Sequence, residues 1–380
     1  MAQTVYDYPD ISVADIPIWM ERAKTIRKLG GNFAPHFHGC PGSGKTANVE
    51  QTARQWAAND NLYFHRDDDG PLETPWEETF GFVNLRTALM DSADIKGYGH
   101  LNEGARTTDF FTPERLPVVE KHGKFGVLFL DDIADASAAT IRALNSLLEA
   151  GRIEGYVLPE GWIVILASNQ KEWKTGSTKG PSHSNNRGNH FNVIPDADAT
   201  AAWMVANGYN AIVAAFLKRF PEMIFVFEKD VTAFPSARTW VGAAMMVDMI
   251  DDPDDRIVGV SSFVGKAAAI QLDGFMRLVA SGGEMPTYKQ IISNPTGAPA
   301  PTAGSEMVTA LTFAIVGVIK RKVTCRDEMP AIITYISRLE RDFQATLMHD
   351  LANRPDADAL FQCVQVAEWK TTNPDVRLAA

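Results

Sequence analysis

Residues 39–46 read Gly-Cys-Pro-Gly-Ser-Gly-Lys-Thr, a complete phosphate-binding loop. A short apolar, histidine-containing run, Phe33 to His38, precedes it, and the residues after it carry apolar positions at Val49, Ala53, Trp56 and Ala57. The pattern predicts strand, loop and helix in succession, which is the context this motif needs. Gly39, Gly42 and Gly44 let backbone N–H groups wrap a polyphosphate with no Cβ in the way. Cys40, Pro41 and Ser43 fill the loop between them. The helix start adds partial positive charge. Lys45 is placed to reach β- and γ-phosphates, and the Thr46 hydroxyl to ligate Mg²⁺. The motif predicts binding of a nucleoside triphosphate with Mg²⁺.

A second run, Val127-Leu128-Phe129-Leu130-Asp131-Asp132, supplies what such a site needs next. Phe125 to Leu130 is continuously apolar, as in a central parallel strand buried on both faces. It delivers Asp131 to the Mg²⁺ shell and Asp132 to the place of a base that polarises the attacking water. A further buried strand, Trp162 to Ala167, ends at Ser168-Asn169. The Asn169 amide there can orient the water or touch the γ-phosphate; the plainer reading is a turn-capping asparagine. Arg187, in a basic loop before a strand at Phe191 to Ile194, and Arg238, at the start of a helix, are candidates to stabilise charge on the transferring phosphoryl group.

Around these motifs the chain of 380 residues reads as an α/β domain followed by helices. Residues 11–29 have helical spacing and stop at Gly30-Gly31; residues 59–79 are polar and predict a solvated excursion; Phe82 to Leu85 predicts a strand. Residues 94–117, with glycines and prolines, predict an irregular insertion. Alternating strands and helices imply a parallel sheet of five core strands flanked by helices. From about residue 230 the periodicity is helical, over 236–250, 262–280, 306–323 and 330–351, interrupted by a Pro/Gly-rich loop at 294–304. The expected domains are an N-terminal helical segment (1–32), a nucleotide-binding α/β domain (33–230) and a helical lid with C-terminal helices (231–380).

The net charge of −11 argues against a surface that grips nucleic acid through its phosphates, although a local basic channel stays compatible with it. The polar start, Met1 to Asp10, reads as neither signal nor transit peptide, and Met307 to Ile319 is too short to span a bilayer. Three cysteines, Cys40, Cys325 and Cys363, have no metal-ligand spacing. A reducing, cytoplasmic setting is expected.

Taken together these segments resemble the AAA+ ATPases, and within them the MoxR-like branch. The resemblance is carried by the loop at 39–46, Asp94-Ile95-Lys96-Gly97 with Pro117, and Leu130-Asp131-Asp132-Ile133. It continues through Gly151-Arg152-Ile153-Glu154-Gly155-Tyr156, Ala167-Ser168-Asn169 and Pro235-Ser236-Ala237-Arg238. It implies a sensor role for Asn169, a trans-acting arginine finger for Arg187 and a lid sensor for Arg238. It also implies a homo-oligomer, a hexameric ring with ATP between subunits. The ring would remodel or activate a partner protein, for instance one with a von Willebrand factor A domain. Two departures stand out. The base position usually holds Glu, where this chain has Asp132, one methylene shorter. Gly188-Asn189-His190 separates Arg187 from Phe191, which makes Arg219, followed by Phe220-Pro221, a rival finger. Tyr98, between Gly97 and Gly99, fits either a pore-facing aromatic or a packed turn. Lys171, Lys174 and Lys179 join Arg187 either along such a pore or in a solvated cluster. The alternatives to a protein-remodelling motor are a nucleic-acid motor or loader on the same fold, and an ATP-gated scaffold that hydrolyses slowly or not at all.

Overall fold

The computed structural model describes residues 8–31, 33–170, 188–227, 231–280, 286–300, 315–316, 319, 322–352, 354–374 and 376. They divide into two compact units, residues 1–199 with 236–238, and 200–235 with 239–380.

The first unit is built on a parallel sheet. Its strands are β1 (Asp10–Ser12), β2 (Pro35–Gly39), β3 (Tyr63–Arg66), β4 (Thr79–Arg86), β7 (Phe125–Asp131), β10 (Trp162–Asn169) and β11 (Asn189–Ile194). Their order is β1-β11-β2-β10-β7-β4-β3, and every pairing is parallel. Two antiparallel ribbons stand apart, β5 (Gly99–Asn102) with β6 (Thr107–Phe110) and β8 (Arg152–Ile153) with β9 (Tyr156–Val157). The helices are α1 (Ile16–Lys28), α2 (Lys45–Asn59), α3 (Ser92–Lys96), α4 (Val119–His122) and α5 (Ala138–Ala150).

The apolar runs are continuous because both sheet faces are covered. Val127 and Phe129 on β7 join Phe37, Val49, Ala53 and Ile165 in one buried cluster. Leu128 and Leu130, the residues between, join Ile95, Leu144, Leu147, Val164 and Leu166 in another. α5 begins where the Ser137 Oγ accepts from the Thr140 backbone N–H at 3.1 Å and ends at Gly151, left-handed at φ 65°. Trp162, fully buried, lies across β4 and β7: a Cβ on Gly81 or on Gly126 would stand 2.6 Å from its ring.

Three sequence expectations are refined. The polar stretch 59–79 includes β3, a four-residue edge strand whose charged tip, His65-Arg66, hides its period. The 94–117 insertion carries the β5–β6 hairpin. The residues before the first helix hold β1, which extends the sheet beyond β11.

The second unit is helical where described. α6 (Ala197–Ala206) leads into it from the first unit, and α7 (Ala211–Arg219), α8 (Ala237–Met249), α9 (Pro253–Val264), α10 (Lys266–Ala280) and α11 (Tyr288–Ser293) follow. Helices Met329–Ile336, Arg341–Ala352, Ala357–Phe361 and Val364–Thr372 complete it. The periodic run at 262–280 is divided at Gly265, whose φ of 81° no helix accepts and whose Cβ would press on the Ala233 carbonyl at 2.8 Å. The run at 330–351 is likewise two helices, yet Ile332, Ile336, Leu339, Phe343, Leu347 and Leu351 all enter one core. Most of the helix expected at 306–323 lies outside the described residues. No helix among the described residues is long and apolar enough to cross a membrane.

Candidate nucleotide-binding site

The carboxyl ends of β2, β7 and β10 meet at one edge of the sheet, and the candidate residues stand there. β2 ends at Gly39; the loop then turns through Gly42 at φ 73° and Gly44 at φ 92° into α2. These left-handed angles exclude β-branched or bulky residues. Gly39 cannot carry a Cβ, which would approach the Val193 carbonyl at 2.7 Å. Asn48 holds the loop from inside, its Nδ2 donating to the Gly44 carbonyl at 3.0 Å.

Lys45 is buried beneath the loop. Its ammonium donates to the Cys40 carbonyl at 2.9 Å and stands 3.4 Å from both Ser43 Oγ and Asn169 Oδ1. Burial pushes its pKa down to about 8, with Asp131 and Asp132 acting in the opposite sense and the Arg238 guanidinium adding to the fall. Burial likewise pushes the Cys40 thiol up to about 11, so it stays protonated at neutral pH. Cys40 thus behaves as a small buried filler.

Asp131 is held from three sides. Its Oδ2 accepts from Thr46 Oγ1 at 2.9 Å, its Oδ1 from the Asp132 N–H at 3.0 Å, and its carbonyl from Thr87 Oγ1 at 2.8 Å. Asp132 takes the left-handed conformation, φ 53° and ψ 33°. Its Oδ1 accepts from Asn169 Nδ2 at 3.3 Å. One asparagine therefore touches both Lys45 and Asp132, which links the end of β10 to the phosphate loop and to the end of β7. The start of α8 also reaches the loop: the Arg238 backbone N–H donates to the Gly42 carbonyl at 3.0 Å.

Backbone N–H groups, one buried ammonium, and a hydroxyl paired with a carboxylate form a donor set suited to a polyphosphate and a hard cation. Thr46 and Asp131 bear oxygen donors of the kind Mg²⁺ prefers, and they stand 2.9 Å apart. Asp132 and Asn169 stand at the same end of the sheet, joined by their hydrogen bond.

Arg187 lies outside the described residues, as do Lys171, Lys174 and Lys179. The rival Arg219 donates through Nη2 to the Pro286 carbonyl at 2.7 Å, within the second unit. Tyr98 is 68% exposed, beside the exposed Leu101 and Phe111. Two residues that bear on the site escape sequence reasoning. Thr87, fully buried, fixes the Asp131 backbone, and Ser236 crowds Gly42, where a Cβ would meet its hydroxyl at 2.7 Å. Only the position of Thr87 just past the end of β4 hints at its role.

No family model matches the chain. No curated protein matches it either. Among solved structures, it is similar to Saccharomyces cerevisiae Hsp104 in complex with casein, at 15% identity over 72% of this chain and 46% of that one, TM-score 0.35. Hsp104 with ATPγS and FITC-casein gives 18% identity, 71% and 45% coverage and a TM-score of 0.34. A RuvB mutant from Thermotoga maritima gives 14%, 80% and 83%, and 0.30. The chain spans about half the length of the Hsp104 chains it matches. At these TM-scores the likenesses carry no argument. The assignment of an α/β phosphate-loop fold followed by a helical region rests on the strand order, the register and the loop geometry.

Proposed function

We propose that this chain is an ATP-hydrolysing motor subunit of the AAA+ class, of MoxR-like type, which assembles into a homo-oligomeric ring and remodels or activates a partner protein. The observation that carries the proposal is the 2.9 Å hydrogen bond between Thr46 and Asp131 beside a buried Lys45, with Asn169 bridging Lys45 to Asp132. In this reading the 39–46 backbone cradles the ATP phosphates and Lys45 neutralises the β/γ oxygens. Thr46 and Asp131 hold Mg²⁺, which when bound offsets charge on the phosphates. Asp132 takes the proton of the attacking water while Asn169 keeps its carboxylate turned toward the site. Arg238, in the first turn of α8 beside Gly42, senses the nucleotide, and Arg187 of a neighbouring subunit completes the site. A hexamer, a cytoplasmic setting and a client with a von Willebrand factor A domain belong to the same reading.

The test is steady-state hydrolysis and its complementation. Lys45→Ala should abolish nucleotide binding, and Arg187→Ala should bind ATP, assemble, and hydrolyse roughly 10³-fold more slowly. Mixing the two dead variants should restore part of the activity, because some interfaces then hold an intact pocket and an intact finger. If subunits exchange and nothing returns, while Arg219→Ala does complement, the finger is Arg219. Full hydrolysis by a strict monomer would overturn the ring.

A second reading, an ATP-gated scaffold with slow turnover, is favoured by Asp132 itself. Its carboxylate is one methylene shorter than glutamate and leaves a left-handed backbone. A basal rate near that of Asp132→Asn would select it.

A further inference from the structure

Two adjacent strands, β2 and β11, bring three histidines to one face of the sheet. His36 and His38 are two residues apart on β2, so they share a face. His190 on β11 pairs directly with His36, and Ser168 on β10 pairs directly with His38. One nitrogen from each imidazole lies within 4.8 Å of the other two. His38 Nε2 stands 2.7 Å from His190 Nδ1, and the His36 and His38 rings lie tilted at 31° with centroids 3.8 Å apart. The buried Ser168 hydroxyl bridges them, 2.9 Å from His36 Nε2 and 2.8 Å from His38 Nδ1. Tyr8 covers the cluster, its ring 4.9 Å from His38 and 5.6 Å from His190.

We propose that His36, His38 and His190 form a site for a divalent transition-metal ion of zinc-like preference. Neutral imidazole is a common ligand of such ions through either ring nitrogen. Three nitrogens no more than 4.8 Å apart lie within about 2.8 Å of a common centre. Zinc–imidazole bonds are about 2.0–2.1 Å, so a shift of well under 1 Å in each ring closes the set. All-nitrogen ligation separates this ion from the Mg²⁺ of the nucleotide, which prefers oxygen. Ser168 supplies the orienting hydrogen bond that ligand imidazoles characteristically have. The site adjoins the nucleotide machinery along the chain: His38 precedes Gly39, and Ser168 precedes Asn169. An ion here ties β2 to β11 just behind the phosphate loop, with β10 joined through Ser168.

The test uses the full chain, without a histidine tag, stripped with chelator and held in millimolar Mg²⁺ so that the oxygen site is saturated. Titration with Co²⁺, read by its visible absorption, and with Zn²⁺, read by calorimetry and elemental analysis, should give one ion per chain. His190→Asn should weaken Zn²⁺ binding by at least about 100-fold, and Ser168→Ala by about 10–100-fold. His65→Asn, on β3, should leave it unchanged. A readout on the wild-type chain guards against variants that fold poorly: Zn²⁺ should protect His38 and His190, but not His65, from diethylpyrocarbonate. Uptake below one ion per chain, uptake indifferent to His190→Asn, or protection mapped to other histidines would each overturn the site.

Discussion

Raising the pH from 7 to 9 should weaken ATP binding by about tenfold, and Lys45 is the reason. Burial lowers its pKa from the ordinary 10.5 to about 8. A triphosphate in the loop favours the charged ammonium and raises that pKa again. Binding therefore takes up a proton whenever Lys45 is neutral beforehand. The sign follows: affinity is flat for this group well below pH 8 and falls as pH rises through 8. With a pKa of about 8, Lys45 is about one-tenth neutral at pH 7 and about nine-tenths neutral at pH 9. The penalty at pH 9 relative to pH 7 is then about tenfold in Kd, or about 1.4 kcal/mol. Cys40, at about 11, adds nothing in this window. Calorimetric titrations with ATP and Mg²⁺ in two buffers of different ionisation enthalpy measure the proton count directly. They should give uptake of about 0.9 proton at pH 9 and about 0.1 at pH 7. Equal heats in the two buffers at pH 9, with unchanged affinity, would refute the reasoning and place the Lys45 pKa near its ordinary value.

In the nucleotide-free protein, Lys45→Met should raise thermal stability at pH 7, and its advantage should shrink from pH 8 to pH 10.5, because the unfolded chain holds the lysine proton longer than the folded one; a pH-independent difference in Tm counts against it. Asp132→Asn should keep ATP affinity and lose hydrolysis, since an amide accepts no proton, and Asp132→Glu should raise turnover if reach limits the base; both are read by phosphate release. Thr87→Val removes the donor to the part-buried Asp131 carbonyl and should cost about 1 kcal/mol in denaturant unfolding, with hydrolysis also reduced. Gly81→Ala drives a Cβ to within 2.1 Å of the His122 carbonyl and 2.6 Å of the Trp162 ring, and should destabilise by about 3 kcal/mol or more; an unaltered Tm would mean that the sheet yields there.

What the sequence discloses about this protein is what short chain segments can carry alone. The phosphate loop is eight consecutive residues, and β7 with its two aspartates is one apolar run, so both are readable without any knowledge of the fold. What depends on register is hidden. Thr87 meets Asp131 because β4 and β7 run side by side, with Arg86 opposite Asp131. The three histidines and Ser168 come from β2, β10 and β11, up to 154 positions apart, and only the pairing of those strands makes them one cluster. β3 is missed because an edge strand of four residues has too few turns of the period-two pattern to rise above its charges.

Asp132 shows how a local departure from expectation can have a backbone cause. A left-handed residue at the end of β7 turns the chain sharply into the segment that begins α5. Aspartate tolerates that conformation better than the longer glutamate, since its short polar side chain can bond locally. Its own N–H points back to Asp131 Oδ1, which with Thr46 on Oδ2 locks the neighbouring carboxylate in place. The short carboxylate of Asp132 and the tight turn are thus parts of one arrangement. Lengthening the side chain gains reach toward the water but strains the turn that holds Asp131. Asp132→Glu therefore sets two effects against each other: faster hydrolysis if reach dominates, weaker Mg²⁺ binding if the turn gives way. The Mg²⁺ titration of its ATPase separates them, because only the second outcome shifts the concentration of Mg²⁺ at half-maximal rate.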